Sequence, residues 1–201
     1  MNRIITKPRL LFILFLMVGI GTNLVIARDL PEGWFKAGNA PQDYQSRTDT
    51  TVFYQGKSSG YIKSINEAPT GFGTLMQMCQ ADDYRGKRVR MSAYVKSKDI
   101  EKWAGVWFRI DGPENKALGF DNMQDRPIKE TTDWKKYEIV LDVPETSVNL
   151  AFGILLEGKG QTWIDAIKFE PVSKDVPTTK PAPEKEKMYP EKPLNLDFEL
   201  K

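Results

Sequence analysis

The chain has 201 residues, with 29 lysines and arginines against 27 aspartates and glutamates, no histidine and a single cysteine. The formal charge is +2, and without the three basic residues of the N-terminal segment described next it is −1, which is no nucleic-acid footprint, so nucleic acid is not an expected partner. The absence of histidine removes Ser-His-Asp and Cys-His nucleophilic machinery and the usual zinc sites, and one cysteine rules out a disulfide within the chain.

The N-terminus begins with Arg3, Lys7 and Arg9, continues through an apolar run from Leu10 to Ile20, and reaches Val25 and Ala27, small or apolar residues that suit signal-peptidase cleavage. Residues 1–27 are therefore read as a signal peptide and the protein as exported, to the periplasm or the medium. A membrane is a partner only if this segment stays attached. Without its three basic residues the formal charge turns from +2 to −1.

From Thr51 onward the pattern alternates with period two, is rich in β-branched and aromatic residues, and is broken by glycine, proline, asparagine or aspartate. Strands are expected at Thr51–Tyr54, Gly60–Ser64 and Phe72–Cys79. Cys79, after Leu75, Met76 and Met78, reads as a buried small apolar residue. In Arg88–Lys96, Val89, Met91, Ala93 and Val95 alternate with polar partners. In Trp103–Ile110, Val106, Phe108 and Ile110 occupy one side and Trp107 and Arg109 the other. Helical periodicity is confined to Lys98–Lys102 at most. A short strand is expected at Leu118–Asn122, a surface loop at Gln124–Asp133, and further strands from Trp134, at Val148–Leu156 and at Thr162–Phe169. About nine strands with no helical repeat predict an all-β fold, a two-sheet antiparallel β-sandwich of jelly-roll type spanning residues 28–172.

After Val172 the composition shifts. Residues 173–193 are rich in proline, lysine and glutamate and read as a linker. In residues 194–201, Leu194, Leu196, Phe198 and Leu200 alternate with polar residues like a strand.

Several segments together resemble bacterial galactose-binding-like domains. They are Gly33-Trp34-Phe35, the run Tyr84 to Lys96, Trp107-Phe108-Arg109-Ile110-Asp111-Gly112, Trp163-Ile164-Asp165 and Phe169-Glu170. The resemblance covers roughly residues 30–172 and implies a carbohydrate-binding-module-like jelly roll. In similar modules an Asn-x-x-Phe-Glu strand precedes the Gly-Trp pair. Here Asn195-Leu196-Asp197-Phe198-Glu199 stands at the other end, so the tail either completes the sandwich or begins a second module. The resemblance also implies a structural calcium, with Asp165 and Glu199 at the matching positions. Ala166 stands where a second Asp often follows.

Sugar-binding sandwiches stack exposed aromatic rings on pyranose faces and bond hydroxyls with amides, arginines and carboxylates. Trp34, Trp134 and Trp163 lie at strand ends and read as packing. Trp107 shares a face with Arg109, and these two are the expected central contacts, with Asp121, Asn122, Gln124 and Gln77 around them. An Arg109–Asp121 ion pair on the sheet face is the competing reading. No pair of acids stands out for glycoside hydrolysis, so no enzyme is expected. The expected function is a non-catalytic extracytoplasmic ligand-binding module for a glycan. The alternatives are a protein-interaction or envelope-structural domain, with a cell-envelope protein as partner, and a small carboxylate-dependent glycosidase.

Overall fold

The computed structural model describes residues 30–180. The expected signal peptide, most of the expected linker and the strand-like tail lie outside the described residues. The described part is all-β, with nine strands: β1 (Trp34–Gly38), β2 (Tyr44–Asp49), β3 (Ser59–Ser64), β4 (Phe72–Gln80), β5 (Arg88–Asp111), β6 (Ala117–Asp121), β7 (Ile128–Asp142), β8 (Asn149–Glu157) and β9 (Gln161–Val172). Every pairing between them is antiparallel.

Strand β5, at 24 residues, organises the sheet. Its first half pairs with β9 on one side and β7 on the other. Its second half, Trp103–Asp111, pairs with β8 and β6. The chain therefore builds two facing layers from one strand: β1-β4-β8-β5-β6, and β7-β5-β9-β3-β2. The bend between the halves falls where the β5–β7 register slips three times, between Val95 and Ala104. Asp99 and, on β7, Glu130 take positive φ there, 54° and 60°. Extra residues in a bulge re-aim a strand and increase its twist, so the stretch Lys98–Lys102 is bent strand and not helix.

Other local expectations shift for similar reasons. Thr51–Tyr54 is not a strand; it belongs to the connection between β2 and β3, which Asp49 fixes by accepting the Thr51 and Val52 amides. The surface loop expected at Gln124–Asp133 ends at Pro127, because β7 starts at Ile128, opposite Ala104. Cys79 lies near the end of β4 and is exposed.

The inner faces of both layers form one core. Val89, Met91, Ala93 and Val95 of β5 meet Leu75, Ile62, Ile164, Ile139, Leu141 and Phe152 there, joined by Val106, Phe108 and Ile110 from the second half of β5. Tyr44, fully buried, ties the connections to this core. Its hydroxyl donates to the Gly71 carbonyl at 2.6 Å and accepts the Gly158 amide at 3.0 Å. Gly73 lies against the ring, leaving no room for a Cβ. Burial pushes the Tyr44 phenol up to about 12.

Replacing Tyr44 by Phe strands a buried amide and is expected to cost about 1–3 kcal/mol in urea unfolding. Because the folded phenol ionises later than the unfolded one, stability is full below the unfolded value of about 10 and falls as pH rises through 10 toward 12. Unfolding curves at pH 8 and 11 check the sign, and Tyr44→Phe should flatten the difference.

Candidate functional site

Most antiparallel sheets have one buried and one solvated face, but the layer β1-β4-β8-β5-β6 is apolar on both. Strand β8 makes the point: Leu150, Phe152, Ile154 and Leu156 face the core, while Ala151 and Leu155 join a second buried cluster with Met76 and Trp107. Cross-strand register places the members of this outer face in rows. Phe35, Met76, Gly153 and Trp107 form one row. Ala37, Thr74, Leu155 and Gly105 form the next. Phe72, Glu157 and Trp103 lie beyond it, and Arg109 has Ala151 on one side and Phe120 on the other.

Gly153 and Gly105 lie in the middle of this face. A Cβ on Gly153 would run into the Leu75 carbonyl, and one on Gly105 would press on the Asn122 carbonyl and the Trp103 ring. These close approaches leave a trough between the bulky residues, a groove of about 550 Å³, within the usual range for ligand pockets of about 300–1,000 Å³. Trp107 forms its floor and is 6% exposed, while Phe120 at its rim is 47% exposed. Phe72, Trp103, Met76 and Leu155 line it, with Asn39, Thr74, Arg109 and Asn122 as the polar members.

The hydrogen bonds determine what this groove offers. Trp107 Nε1 donates to Thr74 Oγ1 at 2.8 Å, and that hydroxyl donates onward to the Ile154 carbonyl at 3.0 Å. Trp103 Nε1 donates to Glu157 Oε2 at 3.0 Å, and Lys102 pairs with the same carboxylate. Both indoles therefore have their polar edge satisfied within the protein. Arg109 binds Asp111 through Nε and Nη2 at 2.8 and 3.0 Å, which balances its charge. Asn39 accepts the Phe72 amide and Asn122 accepts the Gln124 amide, each through its side-chain oxygen. Among the described residues, their side-chain NH2 groups and Nη1 of Arg109 have no hydrogen-bond partner.

Of the residues singled out from the sequence, Trp107, Arg109 and Asn122 come together in this groove. Asp121, next to Asn122, points the other way and is 1% exposed. Arg126 grips it through both terminal nitrogens, at 2.6 and 3.1 Å, so Arg109 and Asp121 each have another partner. Burial pushes the Asp121 carboxyl up, but Arg126, Thr179 and the Met123 amide together hold it below the usual carboxylate range. Gln124 is exposed outside the groove, and Gln77 lies across from Phe152, beside Gly33, on the opposite side of the layer. Asp165 anchors the β2–β3 connection, accepting the Tyr54 and Gln55 amides through Oδ2 and the Ala166 amide through Oδ1. Glu199 lies outside the described residues, and among the described residues no three acids or cysteines gather as metal ligands.

The sequence reading missed Trp103, Phe72, Phe120, Met76 and Asn39. The signal for Trp103 was present, since it is two alternations before Trp107 and must share its face in a continuous strand. Phe72, Thr74 and Met76 carry the same phase on β4. Asn39, in a connection, has no periodic signal.

No family model matches the chain. A curated relative, the uncharacterized HTH-type transcriptional regulator YbfP of Bacillus subtilis (strain 168), is 43% identical over 169 residues, which are 84% of this chain and 57% of the relative. The chain therefore spans little more than half the length of that protein. Among solved structures, the enzymatically active domain of bacteriophage CBA120 tailspike protein 4 is similar with a TM-score of 0.55 and 11% identity, over 70% of this chain and 20% of that one. The CBM22-1 xylan-binding domain of Paenibacillus barcinonensis Xyn10C gives 0.50 and 18%, over 73% and 90% of the two chains. A family 16 carbohydrate-binding module gives 0.51 and 13%, over 74% and 99%. The fold is thus one shared with carbohydrate-binding modules.

The regulator corrects the functional expectation. A chain with this identity to a protein named as a transcriptional regulator is not to be read as an extracytoplasmic glycan-binding module, nor as an envelope-structural domain or a small glycosidase. The expected exclusion of nucleic acid loses its support as well. Among the described residues the only helical turns are three-residue 3₁₀ segments, so no helix-turn-helix lies between residues 30 and 180.

The link between Thr74 and Trp107 is open to a direct check. Thr74→Val keeps the shape but leaves a buried indole N–H unpaired, with an expected loss of about 1–3 kcal/mol by denaturant unfolding. Thr74→Ser, which keeps the hydroxyl, should lose less.

Proposed function

We propose that this domain is the effector-recognition part of a transcriptional regulator, and that its outer-face groove takes an uncharged saccharide as the effector. The observation that carries the reading is the second apolar face of one sheet layer, opened into a groove with aromatic walls and three donor groups that have no partner among the described residues. Saccharides present apolar C–H faces and rings of hydroxyls, the complement of exposed aromatic planes with a few donors between them. Trp103 and Phe120 would stack on the sugar, and Asn39, Asn122 and the free Nη1 of Arg109 would bond its hydroxyls.

The similarity to a protein named a regulator supports the regulatory half of the reading, and the fold shared with carbohydrate-binding modules supports the saccharide half. In finer detail, the fold would be a jelly-roll sandwich of the galactose-binding-like kind. The Arg109–Asp111 and Lys102–Glu157 pairs leave little net charge on the groove, which favours a neutral sugar over an acidic one. The groove would bind this ligand without transforming it, and reading of DNA would belong to parts of the regulator other than residues 30–180.

Calorimetric titration with xylohexaose, β-1,4-galactotriose and maltohexaose tests the saccharide. Trp103→Ala should weaken the tightest of the three by about 2 kcal/mol, roughly thirtyfold; because Trp103 also roofs the buried cluster around Trp107, an unfolding curve establishes that the variant is folded at the titration temperature. Absence of binding by all three, or equal binding by the variant, would remove the saccharide from this groove.

A further inference from the structure

One end of the groove is built from a single cross-strand row. Phe72 of β4, Glu157 of β8 and Trp103 of β5 stand opposite one another in register, so Glu157 lies between two aromatic residues, each one strand spacing of about 4.8 Å away. Phe72 and Trp103 line the groove, whereas Glu157 is not among its lining residues. Its carboxylate is engaged within the protein: Oε2 accepts the Trp103 indole N–H at 3.0 Å, and Oε1 pairs with Lys102 Nζ at 3.3 Å.

The Trp103 ring is held at two points. Its six-membered edge lies over Gly105, so close that a Cβ there would stand 3.2 Å from Cζ3. Its N–H edge, on the other side of the indole, points at Glu157. The contact at Gly105 is dispersion, small for each atom pair and without direction, and it does not select one orientation of the ring. The hydrogen bond to a charged acceptor is directional and roughly twice as strong as a neutral one. That bond is the hold that selects one rotamer of Trp103.

Glu157 is in turn placed from the core. Its neighbour Gly158 gives its amide to the Tyr44 hydroxyl at 3.0 Å, and the same hydroxyl donates at 2.6 Å to the carbonyl of Gly71, the neighbour of Phe72. One buried phenol therefore pins the backbone beside both Glu157 and Phe72. Asn39 Oδ1 accepts the Phe72 amide at 2.7 Å and completes the frame. Trp103 is joined to this frame through the Glu157 carboxylate.

We propose that Glu157 is a positioning residue for ligand recognition: it holds the Trp103 indole by its N–H, so that the ring meets the saccharide already oriented. The part about the saccharide rests on the groove being its binding site, whereas the part about the ring does not. A ring left to turn must be ordered when the ligand arrives, and that ordering lowers affinity. Glu157 makes no contact with the ligand itself, so its whole effect passes through Trp103.

The test uses the whole chain as wild type, as Glu157→Leu, which fills similar space without an acceptor, and as Glu157→Gln, whose side-chain oxygen still accepts. Glu157→Ala replaces Glu157→Leu if the latter does not fold. Exchange of the indole N–H with water is followed by NMR without ligand, the Trp103 signal being the one missing from Trp103→Phe. Glu157→Leu should speed that exchange about tenfold or more and leave the other tryptophans unchanged, while Glu157→Gln should stay within about twofold of the wild type. An unchanged Trp103 rate in Glu157→Leu overturns the proposal, as does an equal acceleration at the other tryptophans, which marks a general loss of structure.

The tightest of the three oligosaccharides should bind Glu157→Leu about three- to tenfold more weakly, and Glu157→Gln nearly as well as the wild type. In a Trp103→Ala background Glu157→Leu should lower affinity no further, because the two side chains act as one unit. Additive losses, or a Glu157→Gln as weak as Glu157→Leu, overturn the role assigned to Glu157. If none of the three binds, the saccharide reading fails and the role in recognition falls with it, whereas the indole exchange still decides whether Glu157 holds the ring.

Discussion

Both layers of the sheet hydrogen-bond to β5, and that shared strand constrains everything else in the fold. A 24-residue strand cannot run straight through a small domain. It bends where Asp99 and Glu130 take left-handed backbone and where the β5–β7 register slips. The bend directs its first half into one layer and its second half into the other, so the relative placement of the layers is fixed by covalent geometry as well as by packing. Trp103 begins the second half, immediately beyond the bend. The groove is therefore positioned by the same feature that closes the core.

The second consequence is the two-sided burial of β4, β8 and the end of β5. A layer whose inner face holds Leu75, Ile154 and Phe108 needs no further apolar residues outside, yet Met76, Leu155 and Trp107 are buried on that outer face too. They bury one another and are roofed by Trp103, Phe72 and Ala37. The polar edges of both tryptophans are bonded internally, which removes the cost of burying an indole N–H and leaves their π-surfaces as the chemistry presented outward. The exposed rings Phe35 and Phe120 continue the same face at its two borders.

How much of this was legible in the sequence depends on the range of the interaction involved. Period-two alternation is local: it located the strands from β3 onward, missed β1 and β2, put one at Thr51–Tyr54 where there is none, and placed Val106, Phe108 and Ile110 on the core side and Trp107 with Arg109 on the other. It could not show that β5 is one strand, because the bulges around Asp99 break the alternation that defines a strand. Nor could it tell which of the residues around Asp121 face the groove: in a tight segment held at Met123 by a positive φ, neighbouring side chains diverge, and Asn122 and Asp121 end on opposite sides. Gln77 carried no such excuse, since its phase on β4 places it with Leu75 and away from Met76. The partners of Arg109 and Asp121 were plausible by charge, but selecting Asp111 and Arg126 required the fold.

The two carboxylates near the groove share a design that bears on its chemistry. Asp111 and Asp121 are both buried, each held by one arginine that is itself about one-third exposed. A buried carboxylate without its cation would be strongly unfavourable, so neither arginine is free to leave its acid for an anionic ligand. Arg109 has only Nη1 left to give, and Arg126 is turned away behind Asn122. The charges around the groove therefore serve to fix backbone, and recognition falls to neutral amides and aromatic planes. Such a surface would respond to the shape and hydroxyl pattern of a ligand, and the ion pairs behind it hold the backbone on which those amides and rings stand.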